Sequence, residues 1–168
     1  MSLHRLITIL LAGAIGAAVL AAGGLFDGAA RRGAGEVGRV VKVVDGDTID
    51  VRLGDTVERV RYIGVDTPET KDPRKPVQCY GQRASDFNTR LVGGAAVRLV
   101  RDVEPRDRYG RLLAYVYRVH DGLFVNAELA RLGYAHPLTI APDVHFADRF
   151  AALAGDAREH GRGLWSAC

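Results

Sequence analysis

Five short runs of strand character, each closed by turn chemistry, most constrain what this chain can fold into. Residues 37–44 are β-branched. Residues 48–53 alternate strictly, with Ile49, Val51 and Leu53 on one face and Thr48, Asp50 and Arg52 on the other. Gly54-Asp55 turns the chain into a third run, residues 57–64. Residues 97–103 and 112–119 complete the set, and Asp121-Gly122 is a hairpin signal behind the last. Helical patterns interrupt them. Residues 81–91 carry Ala84, Phe87 and Leu91 on one stripe, ended by Gly93-Gly94. Asn126 is the expected N-cap of a short helix through residue 132, with Gly133 as its stop. A final helix is predicted over residues 142–160, with Phe146, Phe150, Leu153 and Ala157 at helical spacing and Trp165 packing back. The class that satisfies this order is α+β and mainly β: a small closed barrel with helices packed on it.

Hydrophobic content is 48%, a figure inflated by the N-terminus. Residues 6–26 contain one polar side chain, Thr8, and follow Arg5. A helix of that length spans roughly 30 Å, the thickness of a bilayer core. Residues 6–20 have the character of a signal-peptide core, and Val19-Leu20-Ala21 is an acceptable cleavage site. A cleaved signal and a retained membrane anchor both fit; Arg31 and Arg32 blur the positive-inside argument. Either way the chain is expected to be exported, as a secreted protein or one held on the outer face of the cytoplasmic membrane. Residues 27–36 read as a linker and residues 37–168 as one domain. An even pair of cysteines in an exported chain, Cys79 and Cys168, suggests one disulfide tying the C-terminus to the loop after Pro76. Two unpaired thiols are the alternative.

The chemistry concentrates between residues 45 and 111. Asp45-Gly46-Asp47-Thr48 precedes the second strand run, and Asp66-Thr67-Pro68-Glu69 follows the third. Neighbouring barrel strands bring such loops together, so Asp47, Asp66 and the Thr67 carbonyl form an all-oxygen donor set. That chemistry selects Ca²⁺ or Mg²⁺ over Zn²⁺. Taken singly, each motif is better explained as turn chemistry. Arg61 breaks the alternation of its strand and Arg111 opens an otherwise hydrophobic one. Guanidinium groups bind phosphate through a two-pronged fork, and two of them beside a cation suit the extra charge of a phosphodiester under attack. Glu69 lies within reach of a water on the cation side and is the candidate general base. Arg108 and Tyr109 are candidates for contacting phosphate, sugar or base, with Asp45 orienting the loop. The net charge of +3 adds nothing to a polyanion argument, and the preference for Arg over Lys also follows from genomic base composition. His136, His145 and His160 share no metal-ligand spacing.

Taken together, these motifs resemble the staphylococcal nuclease (thermonuclease-like) family. The resemblance rests on Asp45 to Thr48, Arg61 to Glu69, Arg108-Tyr109-Gly110-Arg111, the Val125-Asn126 helix start and Arg162-Gly163-Leu164-Trp165, and covers residues 37–165. It implies a five-stranded OB-fold barrel with three helices. It implies hydrolysis of DNA and RNA, single-stranded or unpaired regions preferred, with one Ca²⁺ ion, little sequence selectivity and 3′-phosphate products. Asp47, Asp66 and Thr67 then correspond to metal ligands, Arg61, Glu69 and Arg111 to catalytic residues, and Arg108 and Tyr109 to nucleotide-binding residues. No obligate protein partner is implied; the membrane is a partner only through an uncleaved N-terminal segment. Two departures stand out: Thr139 falls where the founding member has a pocket tyrosine, and the cysteines are additions. The alternative is a non-catalytic OB-fold module that binds nucleic acid or protein, which has no need of Asp47, Asp66, Glu69, Arg61 and Arg111 together.

Overall fold

A computed structural model describes residues 35–70 and 76–168. The apolar run at residues 6–26 and Pro73 of the expected loop lie outside the described residues. Strands β1 (Glu36–Val43), β2 (Thr48–Leu53), β3 (Thr56–Tyr62), β5 (Ala96–Val100) and β6 (Leu112–Arg118) close a barrel in the order β1-β2-β3-β6-β5. All neighbours are antiparallel except β3 and β6. A shift in register between Val40 and Lys42 bends β1, which helps a sheet this narrow to close. The period-two reading of β2 holds in its middle, where Ile49 and Val51 are fully buried and Arg52 is exposed, but not at its start, where Thr48 is buried as well and its hydroxyl donates to Asp47 (3.2 Å). Val60, Val97, Leu99, Leu112, Ala114 and Val116 complete the barrel interior. Two short strands, β4 (Val65–Asp66) and β7 (His136–Pro137), pair outside it.

Helices α1 (Gly81–Val92), α2 (Val125–Arg131) and α3 (Ala147–Glu159) pack on the barrel, and a single turn, α4 (Leu164–Ala167), ends the chain. The architecture is the mainly β, α+β barrel expected of the pattern. Among the described residues no helix is long and apolar enough to cross a membrane. Cys79 and Cys168 form a disulfide, with Cα atoms 6.0 Å apart.

Three local expectations are corrected. The last helix begins at Ala147, not at residue 142, because the preceding segment serves as a brace. Asp143 accepts from the backbone N–H groups of Val103 (2.9 Å) and Glu104 (2.8 Å). The fourth run, residues 97–103, likewise stops being strand after Val100, since Asp102 turns to accept from the Tyr115 hydroxyl (2.8 Å) and the His145 N–H (3.1 Å). Asn126 is not the N-cap; Phe124 holds that position. Asn126 is fully buried instead, donating to the Ile63 carbonyl (2.8 Å) and accepting from Val116 N–H (2.9 Å), so it ties α2 to β6 and to the turn after β3.

Candidate active site

The turn between β1 and β2 sets the first carboxylates. Asp45 Oδ1 accepts the Asp47 N–H at 3.1 Å, the local bond that favours Asp in tight turns. Asp45 is also held from below: Tyr62 donates its hydroxyl to Asn88 of α1 (3.1 Å), and Asn88 donates to the Asp45 carbonyl (2.9 Å). Asp47 is only 5% exposed. Its Oδ2 accepts both the backbone N–H (2.7 Å) and the hydroxyl (2.9 Å) of Thr67, from the loop after β4. Gly46 makes this approach possible, because a Cβ there would sit 2.6 Å from the Thr67 hydroxyl.

Arg61, on β3, lies between the two aspartates. Its guanidinium reaches Asp47 Oδ2 at 3.1 Å and Asp66 Oδ1 at 2.6 Å, and also donates to the carbonyls of Val65 (2.8 Å) and Tyr62 (3.1 Å). One cation therefore serves two carboxylates, with Asp45 close by as a third. Burial, and then the charge of Asp47, push the Asp45 carboxyl up to about 6. Burial also raises Asp66, against the pull of Arg61. The site holds more negative charge than its own cation balances.

Arg111 arrives from the opposite side, at the mouth of β6. Asp107 aims it, accepting from Arg111 Nε at 2.7 Å and from the Arg111 and Tyr109 backbone N–H groups (3.0 and 2.9 Å). Burial of Asp107 opposes these bonds, but together they hold its carboxyl below the usual range. Tyr109 is 69% exposed, with the guanidinium of Arg108 4.8 Å and that of Arg111 5.5 Å from its ring centre. Arg108 also donates to the Tyr109 hydroxyl at 2.7 Å. Glu69 lies on the loop after Asp66. Gln78 clasps its backbone in both directions, and its carboxylate accepts the Thr70 N–H at 2.7 Å.

Asp47, Arg61, Asp66, Thr67, Glu69 and Arg111 share one hollow of about 170 Å³. Every residue expected in metal-binding or catalytic roles thus lines a single cavity. Arg108 and Tyr109 lie outside it, in an adjoining hollow of about 600 Å³ that shares Arg61 and Arg111 with the first. Thr139 does not line that hollow. Leu138 and Ile140 do, so the wall opposite Tyr109 is aliphatic. Thr139 is exposed to solvent. Sequence reading also passed over Asp107, Asn88 and Tyr62. Asp107 carried a signal, an Asp four residues before Arg111 in an Asp-Arg-Tyr-Gly turn. Asn88 carried a fainter one, a polar residue on the Ala84 and Val92 stripe of α1.

This chain matches the family model described as staphylococcal nuclease homologue over residues 59–167. It is 40% identical over 128 residues to a thermonuclease of Staphylococcus hyicus, covering 76% of this chain and 75% of that one. With a thermonuclease of Staphylococcus intermedius the identity is 44% over 125 residues, covering 74% and 71%. Endonuclease YncB of Bacillus subtilis (strain 168) is 40% identical over 127 residues, 74% of this chain and 59% of its own length. The chain belongs to the staphylococcal nuclease family.

Proposed function

We propose that this protein is a calcium-dependent endonuclease that hydrolyses phosphodiester bonds of DNA and RNA outside the cytoplasmic membrane, leaving 3′-phosphate ends. The observation that carries the reading is the single hollow in which two guanidinium groups, Glu69 and a cluster of carboxylates face one another.

The donor chemistry fits a hard cation. Asp47, Asp66 and the Thr67 carbonyl offer oxygen only, and three carboxylates crowd the single guanidinium of Arg61. Among the described residues no three acidic, His or Cys side chains are gathered closely enough to enclose an ion. The protein would therefore supply few ligands, leaving room for water and a substrate phosphate. When bound, the cation supplies Lewis-acid polarisation of the phosphoryl oxygens.

The remaining work falls to the side chains. Arg111, preoriented by Asp107, donates to a non-bridging oxygen of the scissile phosphate; Arg61 neutralises the same group from the other wall. Glu69 accepts a proton from the attacking water as its oxygen bonds to phosphorus; the bond to the leaving 5′ sugar oxygen breaks, and that oxygen takes a proton from solvent water to leave as a hydroxyl. Arg111 is a charge clamp rather than an acid, since guanidinium does not release its proton near neutrality. Tyr109 and Arg108 hold the adjoining nucleotide. Contacts to phosphate carry no base information, so little sequence selectivity is expected. The apolar run at residues 6–26 and the cysteine pair support export.

Digestion of plasmid DNA and of RNA in calcium, magnesium or chelator, with mapping of the product ends, tests this. Cleavage of both polymers with calcium, none in chelator, and 3′-phosphate ends is the expected result. Undiminished cleavage in chelator overturns the metal assignment, and 5′-phosphate ends overturn the direction of attack.

A further inference from the structure

An enzyme that cuts inside a polynucleotide must hold chain on both sides of the broken bond, and only one side has been accounted for. The hollow bearing Tyr109 joins the catalytic cavity through Arg61 and Arg111. At the other end, the catalytic cavity shares Asp66, Thr67 and Pro68 with a third hollow of about 400 Å³. The catalytic cavity thus has a neighbouring hollow on each side, with shared residues at both borders. Beyond Asp66 and Thr67 the third hollow is lined by Gln78, His136, Trp165 and the Cys79–Cys168 disulfide.

Its construction is specific. β7 pairs with β4, which places His136 directly across from Asp66. Trp165 is brought in by the close meeting of two glycines: Leu164 N–H donates to the Gly133 carbonyl at 2.8 Å, and a Cβ on Gly163 would lie 2.2 Å from that oxygen. The His136 and Trp165 rings then meet at 4.9 Å and nearly perpendicular, with the Arg158 guanidinium 5.6 Å from the indole centre. His136 itself is exposed. Gln78 spends its side-chain carbonyl on the Glu69 N–H, which leaves its amide N–H₂ as a donor. Aromatic faces, a nearby guanidinium and an amide donor at the end of a phosphate-binding cavity are what an unpaired nucleotide binds to.

We infer that the groove between His136, Trp165 and the disulfide holds the nucleotide on the far side of the scissile phosphate from Tyr109. This rests on the nuclease reading above. The two grooves grip opposite arms of one strand, and the phosphate is fixed between them over Arg61 and Arg111.

Trp165 is the chain's single tryptophan, so its fluorescence reports this groove alone. The test uses the Glu69→Gln protein with calcium, titrated with a fluorophore-labelled single-stranded trinucleotide whose binding is followed separately by anisotropy. Binding of the trinucleotide is expected to change Trp165 emission. A mononucleoside bisphosphate, long enough for the catalytic cavity and one groove, is expected to take the Tyr109 side and leave it unchanged. In the Glu69-containing enzyme, His136→Ala is expected to lower kcat/KM on an oligonucleotide with one cleavable bond about tenfold, the order of one lost base stack. Replacing one flanking base by an abasic site should give a similar drop that His136→Ala does not deepen, while an abasic site on the other side should couple in the same way to Tyr109→Ala. Trinucleotide binding without a change in emission, or His136 coupling to the same base as Tyr109, overturns the inference and leaves the nuclease reading standing. Emission that responds to a strand the active-site-intact protein never cuts removes the nuclease reading and leaves the groove as a binding site.

Discussion

Asp107 touches none of the carboxylates, yet the geometry gives it control of Arg111. It accepts three hydrogen bonds across a five-residue turn, two of them from Arg111 itself. Asp107→Ala is therefore expected to free the guanidinium and lower kcat by about tenfold or more, while Arg111→Ala lowers it by about 10²-fold, comparable to deleting an oxyanion donor. Steady-state kinetics check both, and an Asp107→Ala enzyme with unchanged kcat contradicts the positioning role. Asn88 acts on stability instead. It is fully buried and accepts the hydroxyl of Tyr62, which burial pushes well above the usual tyrosine range. Asn88→Ala strands that hydroxyl and is expected to cost about 1–3 kcal/mol, read as a lower urea midpoint. A midpoint equal to wild type would mean that the Asp45 turn does not depend on α1.

Among the elements, the disulfide closes a loop of sequence separation 89 between the segment ahead of α1 and the end of α4. Gln78, beside Cys79, is also the residue that clasps Glu69. Chain entropy alone assigns a closure of that length about 4–5 kcal/mol. Cys168→Ser is expected to lower stability by a good part of that in denaturant titration, and to reduce turnover by loosening the Glu69 loop. No change in either removes the disulfide from the account. The elements also show what sequence can carry. The middle of β2 was legible because Ile49 and Val51 bury one face and Arg52 leaves the other to solvent; Thr48 was not, because it is drawn in beside Asp47 at the site. The start of α3 was not, because Asp143 and Asp102 are spent on backbone N–H groups of a distant segment. Asn126 reads as a cap in one dimension and is a buried link in three. The carboxylates and arginines of the site could be listed from their loops, but not their arrangement. That Arg61 spans Asp47 and Asp66, and that Leu138 and Ile140 rather than Thr139 line the hollow with Tyr109, depends on barrel closure and on the path of the segment after β7.

At the scale of the whole molecule, β2, β3 and β6 bring residues far apart in the chain to one end of the barrel, where the catalytic cavity shares lining residues with the hollow on either side of it. The proposed export would have the substrate met outside the cell. Expression of the full chain is expected to put nuclease activity in the medium or on the outer membrane surface, released or not according to cleavage near residue 21. Activity confined to the cytoplasm contradicts export. In the proposed mechanism Glu69 and Arg111 act on the same phosphate in one cavity, and single-turnover cleavage of a labelled oligonucleotide with calcium reads this out. Glu69→Gln and Arg111→Ala are each expected to lose about 10²-fold or more, and the double variant less than the product of the two, as groups acting on one transition state do. Near-normal turnover in either single variant, or losses that multiply in full, would contradict it.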